Sequence, residues 1–128
     1  SLDKTISISK NIPNYIKLAL LAHELGHFDC DMHGCRCFKE WDRVEQEFHA
    51  DLFALNMLMK DQMWFSLNYL VSDMQELFKK AQFCKACSQA KKDWREIDYY
   101  HAAVRRLIKT PAWRAARRAR NRHVLRGI

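Results

Sequence analysis

The sequence lacks any apolar run long enough to cross a membrane. Its longest strongly apolar window, residues 16–22, ends at His23 and Glu24, whereas a membrane-spanning helix needs about 20 apolar residues. The first four residues, SLDK, also lack the basic region and the apolar run of an export signal. These absences predict a cytoplasmic protein that has no membrane partner.

An even number of cysteines is also missing, since the chain has 5. They cannot all pair within one chain, and we expect reduced thiols in the cytosol. Two close pairs, Cys35 with Cys37 and Cys84 with Cys87, offer four thiols for a four-cysteine zinc site. The one-residue gap in the first pair is poor for that geometry, which favours buried or idle thiols.

Internal repeats and low-complexity linkers are absent as well, and 128 residues fit one domain of ordinary size. A hydrophobic content of 48% is sufficient for a core, and 12% aromatic residues argue against disorder. The charge is distributed unevenly. Residues 1–78 carry 7 basic and 12 acidic side chains, a net charge of −5, whereas residues 79–128 carry 15 and 3, a net charge of +12. We therefore expect the two halves to meet different partners or each other.

The pattern of apolar residues predicts a mainly α-helical fold of the α+β class. Residues 5–9 alternate polar and apolar side chains, which is typical of one short N-terminal strand. Apolar residues three and four apart predict one helix that ends near Cys30 and about four further helices. The five predicted helices cover about residues 11–30, 42–59, 61–78, 89–109 and 110 onward. Asp61 is predicted to cap the third of these helices, and Thr110, followed by Pro111, the fifth.

The strongest functional signal is the pentapeptide His23-Glu24-Leu25-Gly26-His27. On a helix, two histidines four residues apart project from one face and can hold one metal ion. Glu24 follows the first histidine but is offset around the helix, where it can take a proton from water that the metal activates. The motif predicts one catalytic Zn²⁺, with His23 and His27 as ligands and Glu24 as the general base.

Gly26 is a second feature of this helix. A glycine in a helix interior costs about 1 kcal/mol relative to alanine. Its presence therefore predicts that another backbone packs closely against the active-site helix.

A catalytic zinc site needs a third protein ligand, and the sequence leaves alternatives open. We favour Glu47 on the second predicted helix, because Asp51, one turn later, can then accept a hydrogen bond from the far ring nitrogen of a ligand histidine. His33 is the alternative, since it occupies the third-ligand position of H-E-x-x-H-x-x-G-x-x-H. However, Cys30 stands where that pattern uses glycine to turn out of the helix. Glu45 could replace Glu47 as the third ligand, but it is expected to point to a different side of the second helix.

A peptidase also needs a hydrogen-bond donor for the oxyanion that forms at the attacked carbonyl. Tyr99, Tyr100 and His101 are the candidates for this role. The sequence does not fix their distances from the metal, so all three remain open.

Two further motifs follow the pentapeptide at residues 23–27. They are Glu47-x-x-Ala50-Asp51-x-Phe53-Ala54 and Leu58-Met59, with a weaker match at Ala103-Val104-x-Arg106-Leu107. Together these motifs resemble the ImmA/IrrE family of metallopeptidases, whose core is similar to that of thermolysin-like peptidases. The resemblance implies a minimal zincin-like domain in which a small sheet lies against the active-site helix.

The same resemblance implies roles for individual residues. His23, His27 and Glu47 would be the zinc ligands, Glu24 the catalytic base, and Asp51 the residue at the family's Asp/Asn position. The implied substrate is a helix-turn-helix transcriptional repressor of a phage, a mobile element or a stress regulon, which is cut to relieve repression. Residues 1–110 would form the metallopeptidase domain, and residues 111–128 a basic C-terminal helix or tail.

The end of the chain is rich in arginine, with 6 arginines and no acidic residue in residues 111–126. On a helix, Arg114, Arg117, Arg118 and Arg122 share a face that can contact nucleic-acid phosphate without reading sequence. The same face can bind the acidic half of the chain or an acidic partner, or stay solvated.

Two functions of different classes are consistent with these features. The favoured one is a zinc metallo-endopeptidase with a narrow protein substrate. The alternative is a non-catalytic, zinc-containing regulator that binds DNA or a protein partner through its basic C-terminal half. Glu24 discriminates between them, because a zinc scaffold has no need for a carboxylate beside its first ligand.

Overall fold

The computed structural model describes residues 11–32, 43–83 and 99–125. These residues form five α-helices, and no strand occurs among them. The helices are α1 (Asn14–Met32), α2 (Arg43–Lys60), α3 (Trp64–Ala81), α4 (Tyr99–Leu107) and α5 (Pro111–Arg120), and five residues of π-helix, Asn121–Leu125, extend the last. None of them combines the length and the apolar character that a bilayer crossing requires. The mainly helical prediction is confirmed, whereas the predicted strand at residues 5–9 and the start of the predicted fourth helix lie outside the described residues.

The core is built around α2, which packs against each of the other four helices. Ala54, Leu55 and Leu58 on α2 are completely buried. Apolar side chains from the other helices complete this core: Ala19, Ala22, Leu67, Leu70, Val71, Met74, Val104, Leu107, Trp113 and Ala116. The contact between α1 and α2 is the most extensive of those between described helices, and it carries the predicted ligands.

Gly26 permits the close contact of these two helices. A Cβ atom built on this buried glycine would lie 2.6 Å from Cα and 2.7 Å from the carbonyl oxygen of Ala50. Non-bonded carbon atoms prefer separations of about 3.5–4.0 Å, so a larger residue requires one backbone to move. The predicted close approach of another backbone is confirmed, and that backbone belongs to α2, one turn from Glu47.

The turn between α2 and α3 corrects the prediction that Asp61 caps the third helix. Asp61 instead ends α2, because the amides of Gln62 and Met63 donate to the carbonyls of Met59 and Leu58 at 3.2 and 2.9 Å. These two bonds form the Schellman motif, in which the residue after the cap takes a left-handed conformation. Gln62 has the required φ of 57°. The third helix begins only after Met63, which provides no side-chain cap.

The basic helix α5 is attached to the core along one side. Thr110 caps it as predicted, with Oγ1 accepting a hydrogen bond from the amide of Trp113 at 3.2 Å, and Pro111 takes the first helical position. Trp113 and Ala116 are buried in the core that the other helices share. As a result, α5 packs against α2 and α3.

Candidate metal centre

Three predicted ligand side chains converge where α1 meets α2. His23 and His27, one turn apart on α1, bring their Nε2 atoms to 3.2 Å from each other. Glu47 on α2 places Oε2 at 3.1 Å from Nε2 of His23 and Oε1 at 3.4 Å from Nε2 of His27. One ligand atom from each of the three residues lies within 4.8 Å of the others.

These separations fit a tetrahedral metal site. Zinc binds imidazole nitrogen and carboxylate oxygen at about 2.0–2.1 Å, so two ligands of a tetrahedron are about 3.3–3.4 Å apart. The closest atom pairs here are 3.1, 3.2 and 3.4 Å apart, with His23 and His27 facing different oxygens of Glu47; one ligand atom from each residue fits within 4.8 Å of the others. Oε2 of Glu47 is also buried, and its one polar neighbour among the described side chains is the ring nitrogen of His23 at 3.1 Å; a buried acceptor without a well-placed donor is costly. Zinc therefore fits the residues present, and a bound cation would satisfy this oxygen.

Asp51 fixes the orientation of the first histidine ring. Nδ1 of His23 donates a hydrogen bond to Oδ1 of Asp51 at 2.7 Å. A neutral imidazole carries one proton, so a proton on Nδ1 leaves the lone pair on Nε2 free to bind a metal. This contact is the one that the spacing of Glu47 and Asp51 on α2 predicts.

The cluster is electrostatically suited to positive charge. Burial alone would lower the pKa of His23, but its interactions with Asp51 and Glu47 raise that pKa to about 10. Burial alone would raise the pKa of Glu47, but the neighbouring His23 and His27 lower that pKa to about 2. Burial raises the pKa of Asp51 despite the contact with His23. A cation is thus stabilised among these groups, and metal and proton compete for the same ring nitrogens.

Glu24 lies outside this ligand group and lines a cleft beside it. The cleft has a volume of about 260 Å³ and is bounded by α1, α2, α3 and α4. Its polar lining comes from His23, Glu24, Asp51, Asp73 and Tyr100. Glu24 is exposed, so its carboxylate is accessible to water and to a substrate next to the ligands.

Of the three predicted oxyanion donors, Tyr100 is the one that lines this cleft. Its side chain is 53% exposed. The negative charge of Glu47, followed by partial burial, raises the pKa of Tyr100, so the phenol keeps its proton and remains a donor at neutral pH. The lining includes neither Tyr99 nor His101. The ring of Tyr99 instead faces the guanidinium of Arg43, whose central carbon lies 5.2 Å from the ring centroid.

Sequence reasoning missed the contribution of α3 to the cleft. Leu70, Met74 and Leu77 fit the pattern of core residues, yet they also line the cleft together with Leu20 of α1. Asp73 adds a carboxylate to the same lining. The available signal is its spacing, because three and four residues separate Asp73 from its apolar neighbours and place it near their face of the helix.

The other predicted site residues have different surroundings. Glu45 points away from the cluster, as expected, and pairs with Arg106 on α4. His33 and both cysteine pairs lie outside the described residues, so the alternative third ligand and the four-cysteine zinc site stay predictions. The four C-terminal arginines named above are all exposed: Arg114, Arg117, Arg118 and Arg122.

Comparisons with protein-family models, with curated proteins and with solved structures found no match to this chain. Functional inference therefore rests on the geometry of the cluster and on the motifs that resemble the ImmA/IrrE family.

Proposed function

We propose that this protein is a zinc-dependent metallo-endopeptidase. The observation that carries the proposal is the convergence of His23, His27 and Glu47 beside Glu24, which lines an adjacent cleft. Two imidazoles and one carboxylate are the ligand set of catalytic zinc in thermolysin-like peptidases. Three protein ligands leave a position for water and substrate, whereas structural zinc sites use four.

Each residue of the site has a separate part in peptide hydrolysis. When bound, zinc supplies Lewis acidity, which lowers the pKa of water towards about 7 and polarises the substrate carbonyl. Glu24 accepts the proton of the attacking water and passes it to the leaving amine. The phenolic hydroxyl of Tyr100 donates a hydrogen bond to the oxyanion. Asp51 holds His23 in the tautomer whose Nε2 is an acceptor.

The proposed substrate is a protein segment in an extended conformation. A cleft of about 260 Å³ admits only a few side chains, so the cleaved segment has to be locally unfolded. Leu20 and Leu77, the apolar lining residues that are not buried in the core, are suited to apolar side chains of that segment. From the resemblance to the ImmA/IrrE family, we propose a helix-turn-helix transcriptional repressor of a phage, a mobile element or a stress regulon, cleaved in the cytoplasm.

The proposal is tested by comparing two substitutions in the full chain. Glu24→Gln is expected to keep stoichiometric zinc and to lose about 10²–10⁴-fold in cleavage rate, the usual contribution of a general base. His23→Ala is expected to lose the metal itself. Bound zinc is measured by elemental mass spectrometry. The substrate for the cleavage assay is the cellular protein that the Glu24→Gln variant captures. Glu76→Gln, an exposed carboxylate on α3, is the matched control and should change neither quantity. Equal cleavage rates for zinc-loaded wild type and zinc-loaded Glu24→Gln would contradict the proposal that this protein is a zinc peptidase.

A second candidate function is a zinc-containing regulator that binds DNA or a protein through its C-terminal half. The exposed arginines of α5 favour it. In that case zinc is structural, and Glu24→Gln would leave the regulatory activity intact.

A further inference from the structure

A second cavity lies between α3 and α5. Its volume is about 330 Å³, and it shares no lining residue with the cleft beside the metal centre. Phe78, Ile108 and Trp113 form its apolar lining, and Arg114 and Arg117 are its charged groups. This volume lies at the lower end of the range for pockets that hold small ligands, about 300–1,000 Å³. Among residues 11–32, 43–83 and 99–125, no acidic residue takes part in the lining.

Arg114 and Arg117 are exposed, and within the part of the chain that the structure describes no carboxylate pairs with either. Arg106 on α4 differs from them, because it pairs with Glu45 and lies over the ring of Phe48 at 4.4 Å. The cavity therefore carries two cationic groups that no carboxylate of the described residues neutralises.

Helix stability does not explain the position of Arg114. It lies in the first turn of α5, where the helix dipole disfavours a cation. Arg117 follows one turn later, and like charges at this spacing repel each other. Burial, and then the positive charge of Arg117, lower the pKa of Arg120. An anion bound beside Arg114 and Arg117 would relieve this repulsion.

Gln75 adds neutral donors to the same cavity. Its Oε1 atom accepts a hydrogen bond from Nη1 of Arg120 at 3.0 Å. The amide nitrogen, which carries two N–H groups, is then the part of Gln75 that remains for a ligand. The guanidinium groups of Arg114 and Arg117 and the amide nitrogen of Gln75 are thus all donors, which suits a ligand made of acceptors.

We propose that this cavity is a docking site for an acidic segment of a protein partner, in which carboxylate side chains flank bulky apolar side chains. The apolar side chains pack against Phe78, Ile108 and Trp113. The flanking carboxylates pair with Arg114 and Arg117, whose planar guanidinium groups match carboxylate geometry.

The apolar lining favours a peptide over nucleic acid. Contact with a phosphate backbone requires cations but no apolar cavity. A peptide that combines carboxylates with an apolar side chain uses both parts of the lining.

The test measures binding of a fluorescein-labelled peptide, Asp-Glu-Leu-Phe-Asp-Glu, to the full chain by fluorescence anisotropy. The double variant Arg114→Glu/Arg117→Glu is expected to weaken binding at least about tenfold, because two attractive charges become repulsive. Arg118→Glu is the matched control, since Arg118 is exposed on the same helix but does not line the cavity, and it should change binding less than about threefold. Replacing Leu-Phe in the peptide by Ser-Ser should weaken binding at least about fivefold. Circular dichroism and the melting temperature verify that each variant is folded.

Several outcomes would overturn the docking site. One is an equal loss of peptide affinity in Arg118→Glu and in the double variant, since any anion would then bind the whole basic face. Another is unchanged affinity for the Ser-Ser peptide. A third is tighter binding of a 20-base-pair DNA duplex than of the peptide, with all three arginines contributing equally. Docking does not require zinc, so its failure leaves the peptidase proposal untouched.

Discussion

Charged residues are paired at the α1–α2 contact, whereas those on the outer face of α5 have no partner of opposite charge among the described residues. At the α1–α2 contact, Glu47 and Asp51 lie 3.1 and 2.7 Å from the ring nitrogens of His23. On α5, Arg114 and Arg117 are exposed and have no carboxylate partner among the described residues. The first region directs its acceptors towards one point inside the fold, which suits a cation. The second directs its donors outward, which suits an anionic partner that comes from solution.

Both regions depend on a helix that small or apolar residues hold in place. Gly26 lets α1 approach the backbone of α2 at Ala50, and Trp113 and Ala116 bury one side of α5. The position of each helix decides where its charged side chains project. One substitution in each region can therefore test the packing of the helix, and another can test its charged side chains.

The largest expected effect is the loss of the metal from Glu47→Ala. Removing a ligand should cost more zinc affinity than the roughly 10–100-fold that the loss of an outer partner costs. Glu45→Ala is the matched control on the same helix, because Glu45 pairs with Arg106 instead. Competition with a chromophoric chelator measures both affinities. If Glu47→Ala keeps its zinc and His33→Ala loses it, the third ligand is His33.

Gly26→Ala tests the packing of the first region. In a solvated helix this change would stabilise by about 1 kcal/mol. Here the added Cβ would lie 2.6 Å from Cα of Ala50, so we expect destabilisation by about 1–3 kcal/mol, as for other overpacked sites. Urea unfolding gives the free energy of unfolding. Asn56→Ala on an exposed position of α2 should be nearly neutral, and a more stable Gly26→Ala would contradict the close approach.

Asp51→Asn tests how strongly Asp51 orients the ring of His23. The hydrogen bond at 2.7 Å between residue 51 and Nδ1 of His23 would become weaker, or the imidazole of His23 would change tautomer. We expect zinc affinity to fall about 10–100-fold while the basic face of α5 keeps its affinity for the acidic peptide. Chelator competition and fluorescence anisotropy on the same preparation measure the two. A parallel loss of both would mean that the substitution disturbs the fold rather than the metal centre.

The convergence of the ligands could be predicted because fixed helical spacing controls most of it. His23 and His27 are four residues apart, and Asp51 follows Glu47 by four, so each helix brings its pair to one face. The choice of Tyr100 over Tyr99 could not be predicted, because it depends on how α4 rotates as it packs against α2. The α3 side of the cleft was equally hidden, since apolar spacing alone does not separate a core leucine from one that also lines a cleft.

The helices could be predicted from their apolar periodicity, whereas one of their ends could not. Asp61 is a good N-cap residue, and the usual signal for a Schellman end is a glycine after the cap. Here Gln62 takes the left-handed conformation, so the sequence favours a helix start where the chain has a helix end. At Thr110 the polar cap and Pro111 agree with each other, and the predicted start of α5 is confirmed.

The smallest expected effect is that of Thr110→Ala, which should weaken peptide binding on α5 and leave zinc binding at the α1–α2 contact unchanged. Oγ1 of Thr110 accepts a hydrogen bond from the amide of Trp113 at 3.2 Å, and Thr110→Ala removes it at a cost of about 1 kcal/mol. The first turn of α5, which carries Arg114, should then fray, and the acidic peptide should bind a few-fold more weakly. Zinc affinity should not change, because α1 and α2 hold the ligands. Thr110→Ser keeps the hydroxyl and should restore both stability and peptide affinity, as measured by urea unfolding and anisotropy. Unchanged stability in Thr110→Ala would show that Trp113, rather than the cap, fixes the start of α5.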